Sequence, residues 1–306
     1  MRISLSAYQA LERVTGRALA WRVGRWLYRG SRREMANDPT VNGEYLLQGA
    51  WAKACAARTR SVERTHDETL QIVDVGANVG AWSAHLIDDL ARADIDAYRI
   101  WAFEPAPAQR AKLAALCRAA IEAGRLTVDP RGLAATPGRA SFEIVSDTAG
   151  ANALVSPGTE GASGQAVEID VATLDTACAE RGITHLHLVK VDTEGNDFNV
   201  ILGAQGLFDR EAIDILQFEY NWRWVAFGRL LHDVFSFLKG RPYRLGRLGP
   251  DGIELYDEWH PELERFIETN YVIAHRDALD SLPHWRAVFD GSNTAVRVRN
   301  GSVGSP

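Results

Sequence analysis

The stretch Leu70-Gln71-Ile72-Val73-Asp74-Val75-Gly76-Ala77-Asn78-Val79-Gly80 decides the fold. Six residues, mostly apolar and β-branched, run into a glycine-containing turn. The helical pattern of Ala81 to Ala91 follows at once. A short buried strand feeding a helix through a tight turn is half of a βαβ unit. The pattern repeats downstream. YRIWAF (98–103) reads as a strand and Pro107 to Ala123 as a helix. LTVDPRGLA (126–134) is a third strand broken by Pro130. GRASFEIVS (138–146) alternates like an added antiparallel strand, and Asp147 to Gly164 is a long Gly/Ala/Ser-rich loop. Thr173 to Arg181, Asn196 to Phe208 and Leu230 to Lys239 read as helices. HLHLVKVD (185–192) and IDILQFEY (213–220) read as strands between them. YRLGRL (243–248), GIELY (252–256) and YVIAH (271–275) complete the sheet. Alternating strands and helices predict a doubly wound, mostly parallel α/β sheet with helices on both faces.

The whole chain bounds this reading. It has 306 residues, 46% hydrophobic and 24% charged, which fits a folded globular protein and excludes disorder as its main state. Three cysteines, Cys55, Cys117 and Cys178, are too scattered for a disulfide framework or zinc site and predict free thiols in a reducing compartment. No run is long enough to span a bilayer, and the first residues lack a secretory pattern, so a cytoplasmic location is expected. The net charge of −6 hides an asymmetry: residues 1–33 carry eight arginines against Glu12, +7, which leaves −13 for the rest. An acidic body is a poor nucleic-acid binder. Residues 1–66 form a helical N-terminal extension, with a second helix over Glu44 to Arg58 and a polar connector, TRSVERTHDET (59–69). The sheet domain covers 67–290 and a tail covers 291–306.

In such sheets ligands bind at the carboxyl ends of the strands, near the switch in strand order. Gly76-x-x-x-Gly80 is not the G-x-G-x-x-G of dinucleotide folds. Asp74, two residues before Gly76, would repel a pyrophosphate and suits a cationic ligand. Glu104 ends the second strand 28 residues after Gly76, where an acid accepts both hydroxyls of a ribose. A tight turn and a solvated helix cap are the bland alternatives. Together the two signals favour S-adenosyl-L-methionine, whose adenosine carries no phosphate.

VDVGANVG (73–80), FEPAP (103–107), VATLDTACAERG (171–182), LVKVDTEGND (188–197) and QFEY (217–220) occur in an order and spacing that resembles the FkbM-type methyltransferases. These belong to the class I S-adenosylmethionine-dependent enzymes. DVFSFLKGRPYRLGRL (233–248) and NYVIA (270–274) extend the match, which covers about residues 70–275. The resemblance implies a Rossmann-like fold and an O-methyltransferase acting on a hydroxyl of a glycan, glycolipid or glycosylated metabolite. It implies that Asp74, Gly76, Asn78 and Gly80 line the methionine end of the cofactor. Glu104 would hold the ribose, and Gly132 and Leu133 would pass the adenine. Asn152 stands in a loop, GANAL (150–154), where relatives carry serines.

For the chemistry, Asp192 and Glu194 follow one strand and Glu219 ends another. Asp192 is a candidate base and a cofactor contact. Asp192 with Glu219 is a candidate Mg²⁺ pair that would acidify the acceptor hydroxyl. Helix capping is the alternative for Asp192 and Glu194. Lys190 reads as an ion-pair partner, and His232 is a weaker candidate base. Glu194, Asn221, Trp222 and Trp224 are candidate substrate contacts, since Trp faces pack on sugar rings and polar groups bond hydroxyls. An NAD-dependent oxidoreductase and a non-catalytic scaffold remain as alternatives. In the basic arm, Leu19, Val23, Trp26 and Leu27 share a helix face opposite Arg22, Arg25 and Arg29. That face is expected to pack on the catalytic domain or on a second subunit, giving a homodimer, or to lie on an anionic inner-membrane surface.

Overall fold

Three helices precede the sheet: α1 (Leu5–Thr15), α2 (Arg17–Ser31) and α3 (Glu44–Ser61). The chain then alternates through β1 (Leu70–Val75), α4 (Ala81–Arg92), β2 (Tyr98–Phe103), α5 (Pro107–Leu116), α6 (Arg118–Glu122) and β3 (Leu126–Asp129). A side excursion holds β4 (Gly132–Leu133), β5 (Gly138–Ile144), β6 (Ala153–Leu154) and β7 (Gln165–Ala172). Alternation resumes with α7 (Leu174–Ala179), β8 (Leu188–Val191), α8 (Asp197–Leu202), α9 (Gln205–Asp209), β9 (Ile215–Tyr220) and α10 (Leu231–Leu238). The chain ends in β10 (Tyr243–Gly249), β11 (Gly252–Tyr256), β12 (Thr269–His275), α11 (Arg276–Leu279), β13 (His284–Phe289) and β14 (Ala295–Arg297). This computed structural model describes residues 5–34, 37–61, 69–145, 152–155 and 164–298.

Ten strands form the main sheet in the order β14-β13-β11-β10-β12-β9-β8-β1-β2-β3. The run from β9 to β3 is parallel throughout. β12, β10 and β11 join antiparallel, β13 is parallel to β11, and β14 closes the edge antiparallel. The chain winds outward from β1 to β3, then returns to β8 on the other side of β1. The switch point therefore lies between β1 and β8, where a crevice must open.

Alternation along the strands splits the apolar residues between two cores. Ile72 and Leu188 join Leu47 and Trp51 of α3 and Leu86 and Leu90 of α4 on one face. Val73, Val75, Val189 and Val191 join Phe198, Phe208 and Val234 on the other. Helix α3 thus covers the sheet, and only α1 and α2 stand apart from it.

Several local expectations are corrected. The third strand is two: Pro130 lacks an N–H to donate, and the chain leaves the main sheet after Asp129 for a second sheet, β4-β7-β5-β6. That sheet uses β7, whose Val167, Ile169 and Val171 alternate with Glu168 and Asp170. The helix expected over 107–123 breaks at Cys117, and the one over 196–208 breaks at Gly203 and Ala204. The sheet runs past 290, because β14 pairs with β13. Parts of the connector (62–68), of the Gly-rich loop (146–151 and 156–163) and of the tail (299–306), together with the arm's first four residues, lie outside the described residues. Among the described residues no helix is long and apolar enough to cross a membrane.

The expectation that the apolar face of α2 packs on this chain's own sheet domain is also overturned. Leu19, Val23, Trp26 and Leu27 are all exposed, Trp26 at 72%, and Trp21 joins them. What fixes α2 is its carboxyl end. There the Tyr28 hydroxyl donates to Glu262 Oε2 (3.1 Å) and Arg32 Nη2 donates to the Glu262 carbonyl (2.8 Å).

Candidate active site

At the switch point the turn after β1 is fixed by backbone. Gly76 sits at φ +75°, and a Cβ there would lie 1.8 Å from the Asp192 carbonyl oxygen. The ends of β1 and β8 touch at this point, which only glycine allows. Gly80 (φ +84°) caps α4, and a Cβ there would meet Leu113 at 2.8 Å. Asn78, at φ 49°, completes the turn. Glu104 closes it from β2: its Oε2 accepts from the Asn78 N–H (2.8 Å) and its Oε1 from the Ala106 N–H (2.8 Å). Burial raises the Glu104 pKa, while those two N–H bonds and Arg110 oppose it.

Two adjoining cavities open here. The first, about 250 Å³, is lined by Gly76, Ala77, Asn78, Glu104, Asn152, Lys190, Asp192 and Glu194. The second, about 40 Å³, is lined by Phe103, Glu104, Gly132, Leu133, Phe142, Asn152, Leu154 and Asp192. Gly76, Glu104, Asn152 and Asp192 belong to both and mark the junction. A polar chamber joined at an acid to a narrow, mostly apolar slot matches the parts of an adenosine bearing a charged tail. Asn152 is held by its Oδ1, which accepts from the Val145 N–H (2.9 Å).

Asp74 is placed differently from expectation. It is fully buried behind the turn and lines neither cavity. Its Oδ2 accepts from Ser83 Oγ (2.7 Å), which ties α4 to β1, and its Oδ1 has no hydrogen-bond partner among the described residues. Burial raises its pKa, against the pull of Lys190 and Ser83.

The carboxyl ends of β8 and β9 are neighbours, with Val191 opposite Phe218. Lys190 Nζ donates to Asp192 Oδ2 at 2.9 Å. Burial opposes the lysine's charge, but Asp192, Asp74 and Glu44 outweigh it and keep Lys190 protonated. Glu194 lines the first cavity and pairs with Arg223 at 2.5 Å. Burial, then repulsion from Asp192, pushes its pKa up to about 8 despite Arg223. Asp197 is buried and accepts from the Thr193 and Gly195 N–H groups (3.1 Å each). Burial and Asp192 push it up to about 7.

The pair Asp192 and Glu219 does not fit Mg²⁺. Asp192 already carries the Lys190 ammonium, and Glu219 accepts from Asn37 (3.2 Å) and Asn221 (2.7 Å) while lining neither cavity. Burial, then the neighbouring acids, raises the Glu219 pKa. His232 is exposed, lines neither cavity, and has its backbone N–H on Glu264 Oε2 (3.1 Å), so it is misplaced for a base. The two tryptophans divide. Trp224 is core, its Nε1 donating to the Glu219 carbonyl (3.0 Å), whereas Trp222 is exposed beneath the Arg223 guanidinium. Asn221 is a buried cap for the Trp222–Phe227 turn and lines neither of these two cavities.

Sequence reasoning missed one wall. Asn37, Pro39, Glu44 and Tyr45, at the entry to α3, line the first cavity with Trp82 and Gln109. Glu44 accepts from Gln217 (2.8 Å) and Asn270 (3.1 Å), and Tyr45 stacks on His85 at 3.6 Å. The start of the helix at Glu44 is legible locally. Its docking over the sheet end depends on partners about 40 to 230 residues away, and no local spacing signals it.

A family model described as the methyltransferase FkbM domain matches residues 74–245. No curated protein matches. Among solved structures, a methyltransferase FkbM from Methylobacillus flagellatus is 19% identical, with 70% of this chain and 46% of that one aligned, at TM-score 0.43. This chain therefore spans less than half of that protein's length. A precorrin-6y C5,15-methyltransferase from Geobacter metallireducens is 11% identical over 73% of this chain and 87% of that one, at TM-score 0.34. The N-terminal domain of human METTL16, solved with SAH, is 10% identical over 74% and 68%, at TM-score 0.38.

Proposed function

The chain belongs to the FkbM methyltransferase family, and from that premise we propose that it is an S-adenosylmethionine-dependent O-methyltransferase whose acceptor is a hydroxyl of a glycan, glycolipid or glycosylated metabolite. The observation that carries the reading is the pair of cavities joined at Glu104, Asn152 and Asp192. Adenine fits the slot between Phe103, Leu133, Phe142 and Leu154, ribose fits at Glu104, and the charged tail fits over Asn78. When bound, the cofactor supplies an activated sulfonium methyl. The chain's part is alignment and proton removal. Asp192, fixed by Lys190, holds the junction in one geometry. Glu194, in the same cavity and poised near neutral pH, takes the acceptor's proton. It thereby moves from substrate contact to base, and the Mg²⁺ step is not needed. The exposed apolar and arginine-bearing faces of α2 support an anionic inner-membrane surface as the place of action.

Calorimetry with S-adenosylhomocysteine tests the cofactor. Binding is expected in the wild type, and Glu104→Ala should lose about 2–4 kcal/mol, because a charged acceptor disappears from the ribose site and two N–H groups lose their partner. Unchanged affinity in that variant removes the ribose assignment. The acceptor class is tested by mass spectrometry of cell glycans with and without the protein, where a difference of one methylene per modified sugar is expected.

A further inference from the structure

Shared lining residues connect the cofactor cavities to two further hollows, and the series marks a depression running toward the outer edge of the sheet. Asn37 lines the first cavity and also a small cleft with Arg33, Thr269 and Asn270. Arg33 in turn lines a third cavity of about 630 Å³, larger than both cofactor cavities together. Its walls are the carboxyl end of α2, the β10–β11 turn and the β13–β14 segment. These elements lie beside one another at the outer edge of the sheet, away from β1. Shared residues thus link the site of methyl transfer, step by step, to a distant chamber.

The lining chemistry narrows the occupant. Arg33 pairs with Asp251, Arg247 with Glu254 (2.5 Å), and Arg32 with Glu262 (3.5 Å). Charges compensated in this way select neither a polyanion nor a polycation. What remains is a dense set of donors and acceptors, with Asn293 beside them. The Trp285 ring lies among them under the Arg297 guanidinium (5.1 Å). Hydroxyl-rich ligands need that mixture, since each hydroxyl donates and accepts, and an aromatic ring receives the apolar face of a sugar. Arg247 is fixed in the wall, with Nη2 on Glu254 (2.5 Å) and Nη1 facing Glu34 at 4.0 Å.

We infer that this depression is the acceptor channel. An oligosaccharide of several units lies from the Trp285 chamber past Arg33 and Asn37, with its reacting sugar at Glu194. The inference rests on the methyl-transfer reading and adds that the acceptor is a sugar chain. A free monosaccharide would leave this cavity, the largest of those described, unused.

The test is an array of defined oligosaccharides of increasing length, probed with full-length protein saturated with S-adenosylhomocysteine. Affinity should rise with chain length. Trp285→Ala and Arg33→Ala should each weaken the longest binders about tenfold, leaving monosaccharide binding and S-adenosylhomocysteine affinity unchanged. Both Arg33 and its partner Asp251 are more than half exposed, so Arg33→Ala spares the fold even if Trp285→Ala does not. Binding that ignores length, binding that ignores both variants, or no binding to any member overturns the channel. If S-adenosylhomocysteine still binds in those cases, the methyltransferase reading stands. If it does not bind at all, that reading fails and the channel falls with it.

Discussion

Around the end of β8, Asp192, Glu194, Asp197 and Glu219 crowd two cations, Lys190 and Arg223. Lys190 serves Asp192, so the surplus negative charge falls on the others. Burial is the largest cause of each upward shift, and repulsion from Asp192 is the next. Carboxyls pushed upward by burial and a charged neighbour inside a cavity are candidates for proton transfer. If Glu194 takes the acceptor's proton, it works only when ionised, so turnover should rise with pH through about 8. Glu194→Gln should abolish that limb and lower kcat by about 10²–10⁴, with cofactor affinity unchanged. A pH–rate profile unaltered by the substitution would remove Glu194 as the base. Stability should move the other way. Glu194 and Asp197 hold protons in the folded chain up to about 8 and about 7, whereas unfolded carboxyls release theirs near pH 4. Between those limits the folded state binds more protons, so urea midpoints should fall as pH rises from about 5 to about 8.

At the scale of elements, the site depends on β1 and β8 ending close together, and Gly76 is the contact. Gly76→Ala puts a methyl onto the Asp192 carbonyl at a positive φ, so the strand ends must part. Strain alone should cost roughly 1–3 kcal/mol, and S-adenosylhomocysteine should cease to raise the melting temperature. Gly182→Ala is the control: its φ is +65° with nothing within 4 Å of the added carbon. That variant should lose stability and keep the ligand response. An equal response in both variants would show that the contact at Gly76 is irrelevant to the site. The same elements show what a sequence carries. The parallel strands are legible because each is a short run of four to six mostly apolar residues bounded by turn or helix signals. Strand-end residues such as Glu104 and Asp192 were legible because βαβ topology sends strand ends to one crevice. Asp74 was read as a ligand because strand position fixes proximity but not which way a carboxylate turns; the nearby Ser83 hydroxyl took it. Trp222 and Trp224 look alike in sequence, and only the packing of Trp224 against Phe198, Phe218 and Tyr220 separates core from surface. The wall built by Asn37, Glu44 and Tyr45 was silent because it depends on a helix docking across the sheet.

Over the whole molecule, charge and apolar exposure are divided rather than mixed. Residues 1–33 carry +7 and the remainder −13, yet most of α2 is exposed rather than laid on the acidic body. Its carboxyl end is tied there, through Tyr28 and Arg32 to Glu262, and Arg33 pairs with Asp251. The rest of α2 presents Leu19, Val23, Trp26 and Leu27 to solvent on one face, with Arg22 and Arg25 exposed and Arg29 half-buried on the other side, where Trp21 is exposed as well. An apolar stripe that carries a tryptophan and is flanked by arginines is the form of a helix that lies in a lipid interface. Each arginine near an anionic surface adds about 1 kcal/mol. The tied end of α2 is also a wall of the cavity inferred to take the acceptor, so a membrane-bound arm would hold that cavity beside lipid-linked sugar chains. Full-length protein should float with phosphatidylglycerol-containing vesicles at low salt, less with neutral vesicles, and less again as salt rises. Trp26→Ser with Leu19→Ser should abolish flotation while S-adenosylhomocysteine binding persists, because both side chains are remote from the cofactor cavities. Failure to float at low salt overturns the membrane assignment. If the protein then runs as a dimer that the same double substitution splits, a second copy covers the face, since an apolar stripe of this size does not stay in water unpartnered.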